Sequence, residues 1–217
     1  MMKSALQRRG FENAVVMYNF KELEPLAESD IEYPKSEPYK LCTFSRVMKE
    51  KGIEDAINAV ESVNAHFGRT VYTLDIFGQV DVEYKERFSQ LEKSFPDYIS
   101  YGGAIEANKS IETLKSYFAL LFPTYYKGEG FAGTLIDAMS AGVPVIASDW
   151  KYNSEFVVPG KTGVIIENCN AERLAEELIN IAAAPEKWNS MRLSALKESE
   201  KYKPDIAARP LIDRING

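Results

Sequence analysis

Histidine and cysteine are almost missing from this chain. His66, Cys42 and Cys169 are the whole supply in 217 residues. A structural zinc site draws on four such ligands, so none is expected. The cysteines lie far apart in or beside apolar stretches and read as buried thiols rather than a redox pair. Basic clusters are also lacking. The net charge is −6, and Arg8-Arg9 is the longest basic run. A duplex nucleic-acid partner needs a basic face, so that class is set aside. No apolar stretch approaches the roughly 20 residues that span a bilayer. The opening MMKSALQRRG has no signal-peptide core, so the cytoplasm is the default compartment.

Several catalytic motifs are missing too. No GxGxxG follows the first strand, which argues against a standard nicotinamide or flavin site. GxxxxGK[ST] and the GxSxG elbow do not occur, which removes that class of ATPase and the nucleophile-elbow hydrolases. There is no DxD; Asp81-Val82-Glu83 comes near it but fits a helix start better. No metal is expected at the site.

What remains is an ordinary globular composition, 45% hydrophobic and 27% charged, long enough for one large domain. Residues 1–20 predict a short helix over 4–9, a turn at Gly10 and a short strand over 14–18. Residues 21–39 are acidic, carry Pro25, Pro34 and Pro38, and read as a linker, so 1–39 form an interdomain connection. A regular alternation then begins. Strands are expected at 41–44, 71–77, 98–101, 118–122, 143–147 and 164–166. Helices are expected at 53–67, 82–95, 110–117, from about 132 to 142, and at 171–183. Two further helices, 186–202 and 205–215, close the chain. Strands alternating with helices imply right-handed crossovers. The apolar runs lack polar alternation, so both sheet faces should be covered. The fold class is therefore α/β, a doubly wound, Rossmann-like parallel sheet over residues 40–200, with 201–217 a C-terminal helix. Ligands of such sheets sit beyond the carboxyl ends of the strands, where the loops at 46–52, 78–81, 102–109, 124–132 and 149–154 should converge.

Those loops hold the candidate residues. Arg46 and Lys51 flank a strand-to-helix turn; they can grip a diphosphate without metal, or simply form a solvated charged loop. Glu129 stands between Gly128 and Gly130, a poor place for a packing residue. It can accept from sugar hydroxyls while the amides of Phe131, Ala132 and Gly133 meet phosphate or sugar. Asp137 lies in a mostly apolar helix and needs partners. Ribose hydroxyls, a backbone amide or a cation would each serve. Glu155 either touches the ligand or caps a short helix. The loop around Gly103 can let a flat nucleobase lie against backbone, or is a plain turn. Thr162-Gly163 reads as a turn or as a hydroxyl near a phosphate. A glycoside hydrolase would need the two acids on one bond, and the cations and the Rossmann pattern argue against it.

Taken together, these residues resemble the donor-binding half of a group 1 (retaining, GT-B fold) glycosyltransferase. The resemblance covers about residues 13–200. It rests on the acid–seven–acid motif, here Glu129 to Asp137, on the flanking Ala138-Met139, Gly142 to Asp149 and Glu155, and on Arg46 with Lys51-Gly52. The resemblance implies that Arg46 and Lys51 hold the diphosphate of a nucleotide sugar. It places Glu129 on the transferred sugar and Asp137 on the ribose. Gly130, Phe131, Ala132, Gly133, Gly103 and Glu155 join the substrate site. It implies hexosyl transfer in polysaccharide biosynthesis, with no cofactor beyond the nucleotide-sugar substrate. The chain departs from the pattern in having Asp137 for a usual glutamate and Ala132 for a usual glycine. Only the second of two Rossmann-like domains is represented, so activity is expected to be weak or absent without an acceptor domain or partner chain. Peripheral membrane contact stays open. The alternative is a non-catalytic nucleotide or sugar-phosphate-binding partner subunit. Either way, Leu211 and Ile215 should expose apolar surface made for a partner.

Overall fold

In a computed structural model, which describes residues 2–22, 24–167 and 169–216, six strands form one parallel sheet in the order β3-β2-β1-β4-β5-β6. The elements run α1 (Met2–Gln7), β1 (Tyr39–Phe44), α2 (Ile53–Phe67), β2 (Tyr72–Phe77), α3 (Lys85–Glu92) and β3 (Ile99–Gly103). Then come α4 (Ser110–Leu114), β4 (Ala119–Phe122), α5 (Gly133–Ser140), β5 (Val145–Ser148), α6 (Asn153–Phe156) and β6 (Gly163–Ile166). The chain closes with α7 (Ala171–Ala183), α8 (Pro185–Asn189), α9 (Arg192–Ser199), α10 (Pro204–Ala207) and α11 (Arg209–Asn216).

The sheet is buried on both faces because its apolar runs send successive side chains to opposite sides. Leu41 of β1 and Ala119 and Leu121 of β4 meet α2, α7 and Trp188 of α8. Cys42, Leu120 and Phe122 point the other way, onto Leu135 and Met139 of α5 and Ala195 of α9. Polar anchors fix the layers. Asn64 accepts from the amides of Val71 (2.9 Å) and Tyr72 (3.0 Å) and donates to Tyr72 O (2.9 Å), tying the end of α2 to β2. Trp188 Nε1 donates to Phe118 O (2.9 Å). Arg192, fully buried, donates to the carbonyls of Tyr117 (2.9 Å) and Lys115 (3.0 Å), and burial pulls its pKa down to about 10.

The strand order changes direction between β1 and β4, so the loops leaving those neighbours run apart and open a crevice above their carboxyl ends. Four sequence expectations change. No strand forms over 14–18; Val15 and Val16 are exposed and lie outside regular secondary structure. The helix expected over 82–95 opens as a 3-10 turn at Val82–Tyr84 and stops at Glu92, ahead of Pro96, whose ring disfavours helix before it. The long helix expected over 186–202 breaks into α8, α9 and a 3-10 turn at Glu200–Tyr202, and the last helix divides at Ala208 into α10 and α11. On α11, Leu211, Ile212 and Ile215 expose apolar surface, as the sequence led us to expect for Leu211 and Ile215. Among the described residues no helix is long and apolar enough to cross a membrane.

Candidate nucleotide-sugar site

The loops after β1 and β4 meet at a glycine. Gly52 has φ +71° and ends the β1 loop; a Cβ there would stand 2.3 Å from Pro123 O, so only glycine lets the β1 and β4 loops touch. That contact brings Lys51 to Glu129 across 78 residues of sequence. Lys51 Nζ lies 2.6 Å from Glu129 Oε2, with the side chains only 11% and 8% exposed. Thr124 Oγ1 donates to the same carboxylate oxygen at 2.8 Å. The Lys51 ammonium also sits 5.4 Å from the Phe122 ring and 5.3 Å from the Tyr126 ring, where aromatic faces attract it. The Tyr126 carbonyl is held by Trp150 Nε1 at 2.7 Å, and Ser148 Oγ donates to Thr124 O at 2.5 Å. Glu129 is therefore an immobilised carboxylate with a cation beside it.

Arg46 completes a cleft of about 240 Å³ whose lining also includes Phe131, Ala132 and Gly133. Its guanidinium is largely exposed and reaches Asp81 only at 3.7 Å, which leaves it able to turn to an anion. Thr134, at the start of α5, donates to Phe44 O (2.6 Å) and so fixes the helix entrance against β1. The Gly133 amide donates to Phe131 O (3.1 Å), so that amide is taken up inside the loop.

The structure brings Arg46, Lys51, Glu129, Phe131, Ala132 and Gly133 together in one cleft. The other candidates sit around it. Gly130 and Glu155 line an adjoining apolar groove of about 340 Å³ beside Val15, Met17, Tyr18 and Tyr202, and Phe131 belongs to both spaces. Gly103 (φ +73°) ends β3 and accepts from the Gly78 amide at 2.9 Å, on the flank of the crevice. Asp137 is buried and has found the cation among its three possible partners. Lys21 Nζ lies 2.6 and 2.7 Å from its two carboxylate oxygens. Burial raises the Asp137 pKa above the ordinary carboxylate range, and Lys21 opposes that rise. Thr162 is also buried, and its hydroxyl accepts from the Val158 amide at 2.9 Å, which is the turn role. Among the described residues no three His, Cys, Asp or Glu side chains gather as a metal would require.

Sequence reasoning missed Thr124, Tyr126, Thr134 and Lys21. Thr134 lies inside the acid–seven–acid motif and was open to inspection there. Lys21 sits in an irregular segment with no periodicity to mark it.

Comparison with known proteins gives the family. Residues 27–198 match the family model described as glycosyl transferases group 1, and the chain belongs to that family. It is 32% identical over 168 residues to the GtfA subunit of the UDP-N-acetylglucosamine–peptide N-acetylglucosaminyltransferase of Streptococcus gordonii, an alignment covering 74% of this chain and 32% of that one. The structure of Anabaena HepE in complex with UDP superposes with a TM-score of 0.79 at 17% identity, covering 99% of this chain and 61% of that one. The C-terminal domain of the group 1 glycosyl transferase LpcC from Francisella tularensis superposes with a TM-score of 0.65 at 20% identity, covering 76% of this chain and 87% of that domain. The fold is thus the Rossmann-like half of a GT-B architecture. The chain spans between 26% and 36% of the length of four curated relatives that it matches.

Proposed function

We propose that this chain is the donor-binding domain of a retaining glycosyltransferase, and that it holds a nucleoside-diphosphate sugar while an acceptor is presented by a separate domain or partner chain. The observation that carries the reading is the cleft in which Arg46, Lys51 and Glu129 meet on opposite loops. Arg46 and Lys51 bind the diphosphate and stabilise the charge that grows on it as the glycosidic bond breaks. Glu129, already oriented by Lys51 and Thr124, accepts hydrogen bonds from hydroxyls of the transferred sugar. The departing phosphate stays beside the oxocarbenium-like sugar, so the acceptor enters on the same face. Asp137 serves the ribose, and the Gly103 turn leaves room for the base. The chemistry needs no metal, because two cations already face the diphosphate. The family relative whose name specifies a UDP-sugar donor, and the fold neighbour solved with UDP, make UDP the first nucleotide to test.

Calorimetric titration of the chain with UDP, GDP and ADP checks the proposal. UDP should bind, and Arg46→Ala should weaken it about 10- to 100-fold, the worth of one charge-assisted contact at roughly 1.5–3 kcal/mol. Absence of heat with all three nucleotides at millimolar concentration would overturn the reading.

A further inference from the structure

One buried pair beside the cleft joins the second acid of the motif to Lys21, a residue that the motif does not include. Asp137 sits on α5 with its side chain 5% exposed, and both its oxygens are engaged by Lys21, whose side chain keeps 30% exposure. Lys21 comes from the segment ahead of β1, 116 positions away in sequence. It lies along the entrance of α5, and a Cβ at Gly133, a cleft-lining residue, would stand 4.0 Å from Lys21 Cδ. The more accessible member of the pair is thus the lysine.

Resting on the donor-site reading, we propose that Lys21 is a specificity-determining residue that recognises the ribose diol of the nucleotide, held in position by Asp137. An ammonium carries three donors, and the two short contacts to Asp137 leave a third. A carboxylate accepts at about four lone-pair positions, so it too keeps capacity after binding Lys21. A vicinal diol offers matching groups: one hydroxyl accepts from the ammonium while its neighbour donates to the carboxylate. The pair also answers the shortness of Asp137 for this task, since the lysine extends the polar surface outward. Backbone contacts hold the segment without the ammonium: the Lys21 amide donates to Tyr202 O (3.3 Å) and the Leu26 amide to Ser140 O (2.9 Å).

The test is titration of the chain and its variants with UDP, 2′-deoxy-UDP and inorganic pyrophosphate. Lys21→Met should weaken UDP about tenfold, or ~1.4 kcal/mol. It should leave pyrophosphate within about twofold and bring UDP and 2′-deoxy-UDP close to equal affinity. Lys21→Arg should restore most of the preference. A parallel loss for UDP and pyrophosphate would mark a merely structural role and overturn the inference, as would unchanged UDP binding. Should Lys21→Met fail to fold, Asp137→Asn is compared with Asp137→Asn/Lys21→Met, which buries no lone charge. Removing the lysine in that background should abolish whatever preference for UDP over 2′-deoxy-UDP remains and leave pyrophosphate unchanged; a preference that the double variant keeps overturns the inference. If the unaltered chain binds pyrophosphate but not UDP, the donor-site reading falls and takes this inference with it. That result differs from the variant-specific failures.

Discussion

Lys51→Met should cost the folded chain about 3–5 kcal/mol and remove measurable affinity for nucleoside diphosphate. Methionine keeps the aliphatic length, so packing against Phe122 and Tyr126 is largely preserved. What is lost is the charge that compensates Glu129, whose side chain is 8% exposed. Removing one partner of a buried pair strands the other in a medium that solvates it poorly, and that penalty sets the magnitude. The measurement is the urea midpoint, read together with a pyrophosphate titration. Glu129→Gln in the Lys51→Met background should recover most of the stability, since no unpaired carboxylate remains. It should not recover binding, because the cation is still gone. A midpoint unmoved by Lys51→Met would mean that water reaches the pair freely.

Gly78→Ala should be the most damaging small substitution near the site. Gly78 has φ +137°, and a Cβ there would stand 1.8 Å from Ser45 O. Backbone strain of about 1–3 kcal/mol is joined by a steric term of similar size, about 1–3 kcal/mol. The atom struck is backbone, in the residue before Arg46, so the loop carrying the guanidinium must shift. Stability and pyrophosphate affinity should therefore fall together. Gly68→Ala is the matched control. Gly68 also has positive φ (+64°), but nothing lies within 4 Å of its Cβ position. That variant should lose only about 1–2 kcal/mol and bind pyrophosphate normally. Equal losses in the two variants would mean that φ alone, and not the contact with Ser45, sets the cost.

The central architecture was legible because local and global signals agree there. Ile53–Phe67 and Ala171–Ala183 take the ranges that their apolar spacing predicts. The β4 and β5 runs are buried at every position, as unbroken apolar sequence requires between two helical layers. The Glu129 loop stood out because acid flanked by glycine has little use in packing. Two kinds of feature stayed hidden. Val15 and Val16 have strand propensity, but strand formation needs a neighbour, and propensity does not supply one. Lys21 meets Asp137 only through the tertiary course of an irregular segment, so the sequence left ribose hydroxyls, a backbone amide and a cation all open as partners. Gly103 and Glu155 were grouped with the cleft because their loops leave the carboxyl ends of the same sheet, but Glu155 lines the adjoining groove and Gly103 lines neither space.

The pairing of Lys51 with Glu129 has a consequence for how the cleft is assembled during synthesis. Neither residue has its partner nearby in the chain, and β1 is joined to β4 by a ladder that closes only after two other strands and their crossovers have emerged. Parallel pairings of such long sequence separation form late, because loop-closure entropy must be met first. No early fragment ending before Glu129 can hold the ion pair, however well α2 and β2 have formed. Pyrophosphate binding at the proposed site should therefore read out completed topology, and in a refolding experiment it should appear with the slowest phase, after helical signal has returned.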